Sequence, residues 1–445
     1  MKIKQLSYVQ AIALGFLTVI AAGTILLMLP VSSRSGEATG FVTALFTSVS
    51  ASCVTGLVLV DTATYWSGFG QAIVLLLIQI GGLGFMTIAT LFSRLLRRRM
   101  SLRERGVMAE SINTVRVGRI LEITTTIGLG TLIFEGTGAL LLAIRFIPEF
   151  GLGQGIWYSV FHSVSAFCNA GFDLMGVKAP FSSLVSYSDD ALVCVTIMLL
   201  IILGGLGFLV WDDVRQKGLH WRRYDLQTKL VLVMTLALIL GGALLFFLIE
   251  RNRMNADMPL GEQILVSFFS AVTPRTAGFN SVDTAALSDA SKLLTVILMF
   301  IGGSPGSTAG GIKTATVAVL LLALRANLRG REQVTFRGRA IPFGQVLNAM
   351  TLTLVVLFVF LIASMVISTV EGLPYLNCAY EVASAMGTVG LTTGITPELT
   401  RISQSILIVL MYLGRVGILS FSIALMTGKR RPAKLRYPEI NVMIG

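Results

Sequence analysis

Apolar residues along this chain cluster in runs of about 20, the length that carries an α-helix across a bilayer. The runs come in pairs. The pattern predicts full spans near residues 11–29 and 69–93, 120–146 and 190–211, 227–249 and 292–325, and 347–370 and 403–427. Between the members of each pair lies a shorter apolar segment, near 39–52, 154–167, 261–272 and 374–385. Roughly 14 residues cannot cross a hydrocarbon core of about 30 Å, so each short segment is expected to enter the membrane as a half-helix and return. The predicted fold is all-α and integral to the membrane: four tandem repeats of span, pore half-helix and span around a pseudo-fourfold axis. The repeats run at about 1–115, 116–220, 221–340 and 341–430, with a cytoplasmic tail at 431–445. Together they form a single membrane domain, and the loops are too short to fold alone.

Composition agrees. The chain is 54% apolar and only 13% charged, whereas soluble domains carry about 25% charged residues. Lys2 and Lys4 ahead of the first apolar run resemble a signal peptide, but that run is long enough to span and reads as a retained helix. The net charge is +12, and 25 of the 35 Lys and Arg fall in five stretches: the N-terminus, 94–119, 215–229, 325–339 and 429–436. Positive charge in alternate loops marks the cytoplasmic side. The charge therefore reports topology, and no nucleic-acid partner is expected. An even number of spans then puts both termini in the cytoplasm, with the half-helices entering from outside.

The candidate chemistry follows each half-helix. Cys53-Val54-Thr55-Gly56, Cys168-Asn169-Ala170-Gly171, Arg275-Thr276-Ala277-Gly278 and Gly387-Thr388-Val389-Gly390 each end in glycine, and Leu or Phe comes next. These glycines lie 115, 107 and 112 residues apart, a near-constant period that means one unit used four times. A cation that sheds its water needs replacement oxygens, and rings of backbone carbonyls supply them without net charge. Such crowded, extended backbone often tolerates only Gly, and at membrane depth it must be buried or line a wet cavity. A half-helix entering from outside aims the negative end of its dipole at the axis. The four tetrapeptides are accordingly read as the filter of an ion pathway. Asp61, Asp173 and Asp283, which follow their glycines by five, two and five residues, are read as mouth charges that concentrate cations. The fourth repeat has Thr392 and Thr393 instead.

The second spans repeat as well. Gly81-Gly82-Leu83-Gly84-Phe85 and Gly204-Gly205-Leu206-Gly207-Phe208 are identical pentapeptides, read as close helix packing through small residues. The third copy opens a stretch that holds Gly303, Ser304, Pro305, Gly306, Ser307, Thr308, Ala309, Gly310, Gly311 and Lys313. That composition cannot stay helical, and a loop at mid-membrane is read as a gate beneath the filter. The fourth copy carries Arg415. A charge at the helix centre costs about 2.5–3.5 kcal/mol, so it must face water or a partner. Two partners remain open: carbonyls of the gate loop, or Glu135, which also sits mid-span. Lys313 is expected to snorkel toward the cytoplasm, and His162 to pack or make a local hydrogen bond.

Four cysteines and two histidines, with no CxxC and no His pair at helical spacing, predict no transition-metal site. Cys53 and Cys168 are read as small filter-lining residues and not as disulfide partners. Gly306 to Thr314 resembles a phosphate-binding loop, but Ile312 intrudes before Lys313 and no Mg²⁺-binding acidic strand follows, so an enzyme is not expected.

These features carry a resemblance. Four span, half-helix and span repeats, a filter glycine in each, and a broken second span in the third look like the Trk/Ktr/HKT superfamily of potassium transporters. The run Gly306-Ser307-Thr308-Ala309-Gly310-Gly311-Ile312-Lys313-Thr314 and the lack of extra terminal spans are most similar to KtrB-type membrane subunits of bacterial Ktr systems. The resemblance implies potassium as substrate in a bacterial cell membrane, sodium as activator, a homodimer, and no cofactor on this chain. It also implies a cytosolic KtrA-type ring that binds ATP, ADP or NADH. It makes Gly56, Gly171, Gly278 and Gly390 selectivity glycines, 303–315 the gating loop, and Arg415 the arginine below the filter. In related plant transporters a Ser at the first of these glycine positions accompanies sodium selectivity, so Gly56 favours potassium. The alternative is sodium-coupled potassium symport. The basic loops 94–119 and 325–339 are candidates for touching the ring or anchoring to anionic lipid.

Overall fold

A computed structural model describes residues 8–84, 86–88, 90–91, 102–111 and 120–417. Lys2, Lys4, most of the basic stretch 94–119, the end of the span predicted at 403–427, the run 429–436 and the tail 431–445 lie outside the described residues.

Each repeat opens on an outer helix: Tyr8–Met28, Ile120–Phe150, Leu226–Glu250 and Phe343–Glu371. Among the described residues these are the four unbroken helices long and apolar enough to cross a membrane. Leu14, Leu132, Leu236 and Phe358 stand exposed on them, an apolar surface suited to lipid tails. The pore helices Phe41–Cys53, Leu152–Phe167, Leu260–Val272 and Tyr375–Gly387 have 13 or 16 residues. At a rise of 1.5 Å per residue they reach roughly 20–24 Å and stop short of the far side. Their starts and ends match the predicted half-helices to within a few residues. Beyond their exposed starts they are largely buried, with Phe46, Phe161, Phe167, Phe269 and Tyr380 fully enclosed.

The inner helices Gly68–Leu83, Ala191–Leu206, Asp289–Phe300 and Arg401–Val416 follow. Three begin on side-chain caps: Ser67, Asp190 and Ser288 accept from Gly70 N, Val193 N and Ser291 N at 3.2, 3.1 and 3.3 Å. Such caps satisfy a helical N–H that has no partner within the helix.

The predicted unbroken spans 69–93 and 190–211 need correction. The first inner helix ends at Gly84, with φ 80°, and the second at Gly207, with φ 94°. After Gly207 the chain bends by 92° into a separate helix, Phe208–Lys217. The fourth ends at Gly417, also with φ 94°. Those conformations suit Gly and few other residues. The third inner helix stops at Phe300 and resumes as Thr314–Leu328, which leaves the predicted loop between them. Among the described residues all four inner helices thus end at one register, and the third is followed by a loop of its own before Thr314.

Close packing, the expected role of the earlier glycines, also holds. A Cβ on Gly81, Gly204 or Gly414 would come within 2.2, 2.0 and 2.3 Å of the carbonyl oxygens of Ser52, Phe167 and Met386, at the ends of their own pore helices. The outer helices seat the same way: Ser48 and Ser163 donate to the carbonyls of Ile20 and Glu135 at 2.8 and 2.6 Å. In the basic loop a short hairpin pairs Thr335 with Ala340 and Phe336 with Arg339.

Candidate functional site

Each chain segment leaves its pore helix by the same turn. The second residue of every tetrapeptide is left-handed: Val54 and Asn169 at φ 59°, Thr276 at 67° and Thr388 at 52°. A non-glycine residue there costs of order 1–3 kcal/mol and persists only where its surroundings impose it. The terminal glycines follow with φ of 92°, 71°, 79° and 93° for Gly56, Gly171, Gly278 and Gly390.

The pore helices impose this path. Thr55 N, Ala170 N and Val389 N donate to the carbonyls of Ser50, Ser165 and Ser384 at 2.8 Å each, and Ala277 N to that of Thr273 at 3.0 Å. The Ser50 and Ser384 hydroxyls accept from Gly56 N and Gly390 N at 3.0 Å. The Ser165 and Thr273 hydroxyls donate to the carbonyls of Phe172 and Phe279 at 2.6 and 2.5 Å. Sequence reasoning missed these hydroxyls. Their signal was present, since Ser50, Ser165 and Ser384 each stand six residues before a repeat glycine.

The four glycines close a ring. A Cβ on Gly56 would lie 2.5 Å from the Ala170 oxygen, and one on Gly171 2.8 Å from the Ala277 oxygen. On Gly278 it would lie 2.6 Å from the Val389 oxygen, and on Gly390 2.1 Å from the Thr55 oxygen, which returns to the first repeat. Backbone from all four repeats therefore meets on one axis, too close for any side chain. Cys53 and Cys168 are free and buried at the pore-helix ends. Cys168 Sγ points to Gln79 Oε1 and Glu135 Oε1 at 3.6 and 3.8 Å. The Arg275 side chain turns away from the axis and donates to Thr235 Oγ1 at 3.2 Å. Gly387 ends the fourth pore helix.

The acidic mouth departs from expectation. Asp61 Oδ1 accepts from Ala63 N and Thr64 N at 3.0 and 2.9 Å, and its Oδ2 from Phe181 N at 2.9 Å. Asp173 and Asp283 accept from Met175 N and Ala285 N at 2.9 Å each. Thr392 Oγ1 accepts from Gly394 N at 2.9 Å in the same way. All four side chains close a turn onto the N–H two residues ahead. Asp61 is 9% exposed and Asp173 half-buried, so of the three only Asp283 presents an exposed side chain. A further acid, missed from the sequence, is Glu381 on the fourth pore helix. It is fully buried and accepts from Thr392 Oγ1, Thr393 N and Thr396 Oγ1 at 2.7, 2.8 and 2.5 Å. Its signal was a charge within a half-helix.

Below the ring, the loop between Phe300 and Thr314 closes on itself. Gly302 N donates to the Ile312 carbonyl at 2.9 Å and Thr314 N to the Gly303 carbonyl at 3.0 Å. The loop docks on the break of the second inner helix: Ser304 N donates to the Gly205 carbonyl at 3.0 Å, and Phe208 N to the Gly306 carbonyl at 2.7 Å. Pro305 sits there too, its oxygen 2.8 Å from a Cβ on Gly207. The Ser307 hydroxyl donates to the Ser304 carbonyl at 2.7 Å. Gly310 meets Thr388, whose Oγ1 would stand 2.0 Å from a Cβ on it.

Of the two partners left open for Arg415, the structure selects carbonyls. The guanidinium donates to the carbonyls of Thr308 and Gly81, and to that of Gly82 at 3.2 Å. Glu135 accepts instead from Gln79 Nε2 at 3.2 Å. Lys313 does not snorkel. Its ammonium folds back onto its own loop and donates to the carbonyls of Ala309 and Gly310 at 2.6 and 3.4 Å. His162 behaves as expected, with Nδ1 2.7 Å from the Tyr158 carbonyl oxygen and Nε2 accepting from Leu174 N at 3.2 Å. Two positive side chains thus lie below the ring, held by successive loop carbonyls.

Comparison with known proteins agrees with this architecture. Residues 4–429 match the family described as TrkH, cation transport protein. The potassium/sodium uptake protein NtpJ of Enterococcus hirae is 43% identical over 448 residues, which cover 99% of this chain and 98% of that protein. The Ktr system potassium uptake protein B of Bacillus subtilis is 38% identical over 438 residues, 98% of this chain and 96% of the relative. The crystal structure of the potassium transporter TrkH from Vibrio parahaemolyticus superposes with a TM-score of 0.73 at 20% identity. It covers 95% of this chain and 86% of that one, and so shares the fold.

Proposed function

We propose that this chain, which belongs to the TrkH family of cation transport proteins, is a multi-pass membrane protein that carries potassium into the cell along the axis of its glycine ring. The ring of Gly56, Gly171, Gly278 and Gly390 carries the proposal, because it brings carbonyl oxygens from four repeats to one narrow point. Carbonyls there replace the shell of a dehydrated cation, and four pore-helix C-termini add the negative ends of four dipoles.

The loop at 301–313 is the gate in this reading. With Arg415 and Lys313 in place, two positive charges lie under the ring. A unit charge about 8 Å from a permeant cation raises its energy by roughly 2 kcal/mol at an effective dielectric of about 20. Moving the loop away would lower that barrier. The relatives named for Ktr systems support a partner arrangement. In it, the chain forms a homodimer with both termini in the cytoplasm. A cytosolic ring binds ATP, ADP or NADH and touches the loop at 325–339, and sodium stimulates transport.

The test is cation flux into liposomes containing this chain alone at fixed voltage, comparing potassium, rubidium, sodium and lithium. Flux that favours potassium and rubidium and runs down the gradient in either direction supports the proposal. Potassium driven uphill by a sodium gradient would move the reading to symport. A flux that does not distinguish the four ions would refute a selective ring.

A further inference from the structure

The second residue of each tetrapeptide has the same left-handed backbone, but only one of the four side chains bonds to anything. Val54 has no polar atom, and the Thr276 and Thr388 hydroxyls are buried without a hydrogen-bond partner. Asn169 is fully buried, and its amide makes two bonds in two directions. Nδ2 donates to the Arg275 carbonyl at 3.2 Å, in the tetrapeptide of the next repeat. Oδ1 accepts from Thr308 Oγ1 at 2.9 Å, in the intramembrane loop. Thr308 is in turn tied to three further parts of the chain. Its N–H donates to the Gly204 carbonyl at 3.4 Å, its hydroxyl also lies 3.3 Å from the Phe167 oxygen, and its carbonyl accepts from Arg415. Gly204 is what lets these atoms converge. A Cβ there would stand 2.0 Å from the Phe167 oxygen, 2.7 Å from Asn169 Oδ1 and 2.9 Å from Thr308 Oγ1.

We infer that the Asn169 side chain is a positioning residue that couples the loop to ion discrimination, by holding the Arg275 carbonyl only while Thr308 holds the amide. This rests on the reading of the ring as a filter and the loop as its gate. The physical ground is that a planar amide bonded at both ends has a fixed orientation. When the loop moves, Oδ1 loses its donor in a buried site, and an unmet polar atom there is costly. The amide then turns to find another partner, and Arg275 loses its donor. One carbonyl of the third tetrapeptide is freed three residues before Gly278. An open loop and a closed loop thus leave the ring with different oxygens.

The test uses the purified full chain in liposomes and reads two quantities separately: total rubidium flux, and the rubidium-to-sodium flux ratio. Thr308→Val keeps the shape and removes the hydroxyl, at a residue that belongs to the loop and not to the ring. For flux that leaks through the chain alone with the loop docked, the expected ratio falls about five-fold, the worth of one buried neutral hydrogen bond, and Thr308→Ser restores it, whereas a chain lacking part of 304–313 should already show the lower ratio. Combining Thr308→Val with Asn169→Ala should then lower the ratio no further than Asn169→Ala alone. If Thr308→Val does not assemble, Thr308→Ala gives the same reading. A Thr308 variant that raises total flux while leaving the ratio at the wild-type value overturns the coupling and leaves the gate intact. A wild-type protein with no preference between rubidium and sodium overturns the filter reading itself, which distinguishes the two failures.

Discussion

Gly278→Ser is the substitution that most directly tests the ring. The new Cβ would sit 2.6 Å from the Val389 oxygen, 3.0 Å from Gly171 Cα and 3.1 Å from Gly390 Cα, against backbone and not against flexible side chains. The backbone is also at φ 79°, a conformation that costs an L-residue roughly 1–3 kcal/mol. The Val389 segment must move to relieve the contact, and its oxygen belongs to the ring. About 1.4 kcal/mol of lost discrimination is tenfold, so the potassium-to-sodium flux ratio should fall about tenfold or more. The distances also rank the four sites. Alanine should do most damage at Gly390, where the contact is 2.1 Å, then at Gly56, Gly278 and Gly171 at 2.5, 2.6 and 2.8 Å. Gly36 is the control, with φ 72° and nothing within 4 Å. Gly36→Ser should cost stability and leave the ratio alone. The assay is competitive rubidium and sodium flux in liposomes, with thermal unfolding to confirm assembly. A well-folded Gly278→Ser protein with the wild-type ratio, or a Gly36→Ser protein that loses selectivity equally, would refute the argument.

Other predictions follow from the contacts below and behind the ring. Deleting part of 304–313 removes the segment docked on the second inner helix, so rubidium flux through the chain alone should rise; abolished flux in folded protein would make the loop a scaffold. Arg415→Lys keeps the charge, but a single ammonium cannot reproduce the planar fork that joins the Thr308 and Gly81 carbonyls. Basal flux should rise, and a wild-type value would show that charge alone holds the loop. Ser384→Ala leaves Gly390 N without its 3.0 Å acceptor, at a cost of about 1–3 kcal/mol for a buried unmet donor. Thermal unfolding should register that loss, and an unchanged melting temperature would mean that the hydroxyl does not brace the ring.

Much of this was legible in the sequence because repetition converts weak signals into strong ones. One glycine after a short apolar segment says little, but four at a near-constant spacing marked one unit used four times and the ends of its half-helices. Glycine's conformational demand is also visible by type alone. The hidden parts were those where one residue type serves two purposes. Gly84 and Gly207 read as packing residues because Gly81 and Gly204 beside them do pack; that the chain also breaks there depends on a positive φ that no composition reveals. Asp61 read as a mouth charge because acids concentrate cations, yet its carboxylate caps Ala63 N and Thr64 N. The fate of a carboxylate is set by which donors the fold brings near, and Phe181 N, which Asp61 also accepts, lies 120 residues away.

The repeats are alike where the ring needs symmetry and different where the loop needs a seat. The ring uses one glycine, one left-handed residue and one helix-end hydroxyl from every repeat. The loop is different: it belongs to the third repeat, but its position is held by the other three. Gly81 of the first and Thr308 itself share the guanidinium of Arg415 from the fourth. The second supplies Gly204, Gly205, Phe208 N and the Asn169 amide. A contact shared this way cannot be released by a change inside the third repeat alone without leaving buried donors and acceptors unmet on its neighbours. Displacement of the loop is therefore expected to bring movement of at least one other inner helix with it. The second is the best placed, because Phe208 N, which binds the Gly306 carbonyl, begins the helix that turns by 92° at Gly207. Crosslinking Phe208–Lys217 to a neighbouring element should then suppress flux through an otherwise intact loop, while a crosslinked protein with full flux would show that the loop moves independently.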